Sequence, residues 1–95
     1  GGVKFAARKD MRGRFYLRLE VVDEPGVLAR LTKVFADNNV SVARLVQKES
    51  SAPGEATLVI STHITDEESI AAMRKQLWKS KLVTDEPFLM RIFER

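Results

Sequence analysis

From Phe15 to Val21 apolar and polar side chains alternate, with Phe15, Leu17, Leu19 and Val21 on one side and Tyr16, Arg18 and Glu20 on the other. A period of two predicts a half-buried strand. After Asp23-Glu24-Pro25-Gly26 the period changes: Val27, Leu28, Leu31, Val34 and Phe35 recur at three and four residues. This predicts a helix over 25–37 with Pro25 in its first position, where a fixed φ suits the helix and the preceding acid complements its positive end. Asn38-Asn39, which tolerate a left-handed backbone, end it. Val40 to Lys48 predicts a second strand with apolar residues on both faces, Val40, Val42 and Val46 alternating with Ser41, Ala43, Leu45 and Gln47. Glu49 to Gly54 has the composition and length of a hairpin connection. A third, central strand over 55–64 places Ala56, Leu58, Ile60 and Thr62 opposite Thr57, Val59, Ser61 and His63.

Thr65-Asp66-Glu67-Glu68 fits a capping box, with Thr65 as N-cap and Glu68 reaching back to its amide. The helix that follows buries Ile70, Met73 and Leu77 and ends among Lys79, Ser80 and Lys81, cations suited to its negative end. A last strand over 82–93 contains Pro87, which lacks a donor and so belongs at a sheet edge. The order β-α-β-β-α-β predicts an α+β, ferredoxin-like βαββαβ fold, a four-stranded antiparallel sheet with two helices on one face. The other face, with Tyr16, Val59 and His63, is too apolar to be plainly solvated and predicts a partner.

Composition narrows the possibilities. At 95 residues, 44% of them hydrophobic, the chain has room for one small core. A dinucleotide-binding catalytic domain needs roughly 100 to 200 residues. With no Cys and one His, there is no disulfide framework, no thiolate nucleophile and no multi-histidine metal centre. The absence of Cys suits a reducing, cytoplasmic location. No apolar stretch approaches the roughly 20 residues needed to cross a bilayer, so no membrane partner is expected.

The net charge of +3 is unevenly distributed. Residues 1–18 carry +5, through Lys4, Arg8, Lys9, Arg12, Arg14 and Arg18 against Asp10, and the rest carry −2. Residues 1–14 therefore read as a solvated connector, with Gly1-Gly2 a cloning remnant, and 15–95 as the domain. Nucleic acid is not the expected partner: RNA-recognition domains of this fold stack bases on aromatics of the central strands, and here only Tyr16 is available on the first and none on the third.

No GxGxxG or GxxxxGK[ST] phosphate loop is present. Ser61 and His63 share a strand face but lack an orienting acid, and Asp66, Glu67 and Glu68 suit a helix start better than catalysis. No catalytic residue is assigned. The most informative segment is Asp23-Glu24-Pro25-Gly26-Val27-Leu28: glycine at a helix start lets a small anion such as a carboxylate approach free backbone amides, although the same residues also make a tight strand-to-helix turn.

That segment, with Val34-Phe35 and Asn39-Val40-Ser41-Val42, resembles the ACT domain, a βαββαβ module that binds amino acids and regulates metabolic enzymes. Its most typical feature is the D-x-P-G-V-L turn followed by a G-V-[NS]-[IV] strand entry. Asn39 stands here for the frequent Gly and Ser41 for the frequent Asn. Phe15-Tyr16-Leu17-Arg18-Leu19, Leu45-Val46-Gln47-Lys48 and Glu55 to His63 further resemble the C-terminal ACT domain of bacterial homoserine dehydrogenases. The resemblance implies side-by-side pairing into an eight-stranded sheet in a homodimer or larger homo-oligomer. It also implies an amino-acid effector, threonine for this parent, between Asp23, Gly26, Val27 and Leu28 of one copy and Asn39, Val40 and Ser41 of the other. The chain itself would then be no enzyme and hold no cofactor, NAD(P) belonging to the catalytic domains of the parent. Phosphoglycerate dehydrogenase and aspartokinase are the other parents it suggests, and a pairing module without ligand the other role.

Overall fold

The computed structural model describes residues 11–93. Five strands and two helices follow in the order β1 (Arg12–Val22), α1 (Val27–Asp37), β2 (Val42–Glu49), β3 (Glu55–Thr62), β4 (Thr65–Asp66), α2 (Glu67–Lys79) and β5 (Phe88–Ile92). All pairings are antiparallel: β3 lies between β2 and β1, β5 pairs with β1, and the two-residue β4 pairs with the start of β1. The expected βαββαβ fold is present, with β4 added to its four-stranded sheet.

The alternation of β1 becomes the core. Leu17 and Leu19 lie opposite Ile60 and Leu58 of β3 and are fully buried. Val27, Leu31, Val34 and Phe35 of α1 and Ile70, Met73 and Leu77 of α2 close the same layer. Thr62, also buried, is satisfied by accepting the Phe15 amide at 3.1 Å. Asn39 ends α1 with φ 59°, as its residue type predicts. The Asn38 side chain donates to the Val34 carbonyl at 2.8 Å and to Gln76 of α2 at 2.9 Å.

Several boundaries differ from the sequence reading. β1 begins at Arg12 rather than Phe15, while the first ten residues, on which most of the connector reading rests, lie outside the described residues. The ladder between β2 and β3 shifts register between Val42 and Arg44, a bulge that puts both Val42 and Leu45 on the helix side. β3 stops at Thr62 instead of Ile64. The last strand is Phe88–Ile92, with Val83 making only an isolated bridge to Val21. Pro87 is buried just before this edge strand, its carbonyl accepting from Arg74 at 2.9 Å. Pro25 precedes α1 in a turn and is not its first residue.

The N-cap of α2 is Asp66, not Thr65. Thr65 is drawn into the pairing with β1, and the Asp66 carboxylate takes over by accepting the Ser69 amide at 2.7 Å and the Ser69 hydroxyl at 2.9 Å. The Ser69 amide is the main reason the Asp66 pKa lies below its ordinary value of 3.8. A folded-state pKa below the unfolded one adds stability that is present above the unfolded value and lost as pH falls through the folded value. Asp66→Asn keeps an acceptor oxygen but does not titrate. Thermal melts from neutral pH to about pH 2 should therefore show wild type losing a component of stability that the variant never had, the gap closing in acid. Parallel loss in both proteins would refute the assignment.

Candidate functional site

Glu24-Pro25-Gly26-Val27 is a type II turn. Pro25 presets its second position, Gly26 sits at its third with φ 86° and ψ −11°, and the Val27 amide donates to the Glu24 carbonyl at 3.3 Å. Gly26 is also the N-cap of α1, so no side chain caps this helix, and its first turn contains no acid. The Arg30 amide is the first to reach a helical acceptor, the Gly26 carbonyl, at 3.1 Å. The amides of Leu28 and Ala29 therefore point out of the helix end without a helical acceptor. The contrast with α2 is direct, because Asp66, Glu67 and Glu68 occupy its positive end while that of α1 is left open to an anion.

The Asp23 amide donates to the Gly54 carbonyl at 2.9 Å, which fixes the turn against the β2–β3 hairpin. Here Asp23, Glu24, Gly26 and Leu28 line a cavity of about 110 Å³, floored by Ala56 and Leu58 and bounded by Gln47 of β2. Gln47 entered the sequence reading only as a position of the second strand and within Leu45-Val46-Gln47-Lys48, and was not assigned to the site. Its signal there was weak, a polar residue on the strand face that Leu45 occupies.

The other expected residues lie elsewhere in the same chain. Asn39, Val40 and Ser41 line a separate recess of about 590 Å³ with Thr32, Phe35 and Ala36. Val27 and Val40 have buried side chains, and the Val40 amide donates to the Phe35 carbonyl at 2.9 Å. Asp23, Leu28, Asn39 and Ser41 are exposed. One chain thus does not bring the two groups together.

The catalytic alternatives gain nothing from the fold. His63 lies beyond the end of β3 and is exposed, and no carboxylate is bonded to it among the described residues. Nor do the described residues form a group of three or more metal-ligating side chains. No helix among them is long and apolar enough to cross a membrane.

Comparison with known proteins identifies the family and the fold. A family model, that of the ACT domain, matches residues 15–77. The homoserine dehydrogenase of Helicobacter pylori is 32% identical over 85 residues, 90% of this chain and 20% of that protein. That of Methylobacillus glycogenes is 37% identical over 62 residues, 64% of this chain and 15% of the relative. Among solved structures, a homoserine dehydrogenase from Thiobacillus denitrificans superposes with a TM-score of 0.81 at 27% identity, covering 96% of this chain and 20% of that one. The chain thus spans about a fifth of the length of the relatives it matches.

Proposed function

We propose that this chain, which belongs to the ACT domain family, is the amino-acid-sensing and pairing module of a homoserine dehydrogenase, with threonine as its effector. The observation that carries the reading is the uncapped start of α1 beside Asp23 and Gln47. An amino acid is a zwitterion, and this site offers a partner to each end. Its carboxylate fits the Leu28 and Ala29 amides, aided by the helix dipole, and its ammonium group fits the Asp23 carboxylate. The Gln47 amide can donate to or accept from a side-chain hydroxyl, which an aliphatic effector lacks.

Pairing supplies the remaining residues. β2 is an edge strand, so its outer backbone groups can pair with a second copy. Antiparallel pairing about a two-fold axis at mid-strand sets the start of one β2 beside the end of the other. Asn39 and Ser41 of one copy then approach the Gln47 end of its partner, where the turn cavity lies. Effector binding favours one arrangement of the pair and so biases the attached catalytic domains, a population shift. NAD(P) and the chemistry belong to those domains.

Calorimetric titration of the chain with threonine is expected to give a binding heat. A hundredfold excess over Kd should raise stability by about 2.7 kcal/mol and so raise the melting temperature by several degrees. Isoleucine, without the hydroxyl, should bind more weakly. Absence of both heat and thermal shift at millimolar ligand would leave a pairing module that senses nothing.

A further inference from the structure

The buried residues on the helix side of β3 run Ala56, Leu58, Ile60 and Thr62. Leu58 and Ile60 lie opposite Leu19 and Leu17 in the core, whereas Ala56, opposite Val21 at the end of β1, offers a single carbon. The turn cavity beside Gly26 and Leu28 lies at that level, with Ala56 in its wall. β3 thus carries its smallest inward side chain where the cavity is.

The wall of this cavity of about 110 Å³ is divided in its chemistry. Ala56, Leu58, Val21 and Val27, all buried, make one end apolar. Asp23 and Gln47, both exposed, make the other polar. Asp23, Gln47 and Ala56 also border a recess of about 420 Å³ along the β2–β3 hairpin, so the cavity opens on that side. Its floor is closed and cannot recede, because Ala56 is held in register with Val21 of β1 on one side and Glu49 of β2 on the other.

We propose that Ala56 sets the size of the effector's side chain, its single carbon leaving room for one methyl group. The inference rests on the reading of this cavity as the amino-acid site, with the effector's carboxylate on the α1 amides and its ammonium group at Asp23. Threonine so placed carries two different groups on its Cβ, and they match the divided wall: the hydroxyl faces Gln47 and the methyl meets Ala56 and Leu58. Serine leaves the floor bare and forfeits burial of that methyl. One further methylene presses on Ala56 and lifts the ligand off the amides. Turning the longer group toward the opening instead takes the hydroxyl away from Gln47, since one stereocentre carries both.

The test is calorimetry of the chain and two variants with serine, threonine and 2-amino-3-hydroxypentanoate, which is threonine with one more methylene. Wild type should bind threonine about tenfold more tightly than either neighbour in the series. In Ala56→Val two added methyl groups rise into the cavity, so threonine affinity should fall at least tenfold and its advantage over serine should vanish. The melting temperature without ligand should hold or rise, because a β-branched side chain suits a strand and fills the space. Ala56→Gly, which deepens the floor, should move the preference several-fold toward the longer amino acid. A disturbed strand would lower all three affinities together and would not exchange their order.

Equal threonine affinity in wild type and Ala56→Val, or an order of preference that neither variant changes, would overturn the proposal and leave the site standing. A melting temperature several degrees lower in Ala56→Val would also overturn it, since the protein itself would then fill the space above Ala56. If wild type gives no heat with any of the three, the sensing reading fails and this proposal with it.

Discussion

Gly26→Val is expected to abolish the response to effector while leaving the fold in place. Gly26 has φ 86°, where a β-branched residue is strained, yet an added Cβ would find no atom within 4 Å. The cost to the fold is therefore confined to the backbone, about 1–2 kcal/mol, less than the roughly 5–15 kcal/mol by which such a domain is stable. The cost to binding is larger, because the new side chain occupies the space over the turn and obstructs the path to the Leu28 amide. Affinity for threonine should fall at least tenfold, about 1.4 kcal/mol or more, in a calorimetric titration. Gly54→Val provides the control for backbone strain, for Gly54 has φ 76° and equally open space at its Cβ, and its contact with the turn is a backbone carbonyl accepting the Asp23 amide, which an added side chain does not remove. It should lose comparable stability and keep its affinity. Unchanged affinity in the Gly26 variant, or equal loss in both, would remove the turn from the site.

Leu17→Ala should have the largest effect on stability. Leu17 is fully buried at the centre of β1, between Ile60 of β3 and Leu89 of β5. Removing the branched end of the side chain, three carbons, forfeits their burial and leaves a cavity that sheet neighbours on both sides cannot fill, a loss of about 2–5 kcal/mol. For a domain of this size each kcal/mol lowers the melting temperature by about 4–8 °C, so the variant sits near the limit of folding. Met90→Ala, on the exposed face of the same sheet, should change stability by no more than about 0.5 kcal/mol. Urea midpoints at equal protein concentration, which matters for a chain that pairs, would measure both. A Leu17→Ala loss below about 1 kcal/mol would mean that the centre of the core is placed wrongly.

Much of the fold was legible because its signals are local. Alternation in Phe15 to Val21, the helical spacing from Val27 to Phe35 and the turn chemistry of Pro25-Gly26 and Asn38-Asn39 each depend on residues within a few positions of one another. The misread boundaries share one cause. Thr65 was a good N-cap by its own chemistry, but pairing with β1 claimed its backbone and passed the cap to Asp66. In the same way, the bulge between Val42 and Arg44 inverted the phase of β2, which strict alternation cannot anticipate.

The candidate site divides along the same line. The sequence by itself determined that the chain turns at Pro25-Gly26, although it set Pro25 inside the helix and not before it, and it determined the order of elements and the apolar set that forms the core. Only the tertiary structure decided that Gln47 borders this turn, that Asn39 and Ser41 lie too far away to join it within one chain, and that Phe88 and Met90 extend the apolar face begun by Tyr16 and Val59. These proximities are set by strand register and sheet order, and they depend on how distant segments share one core rather than on the chemistry of any segment alone.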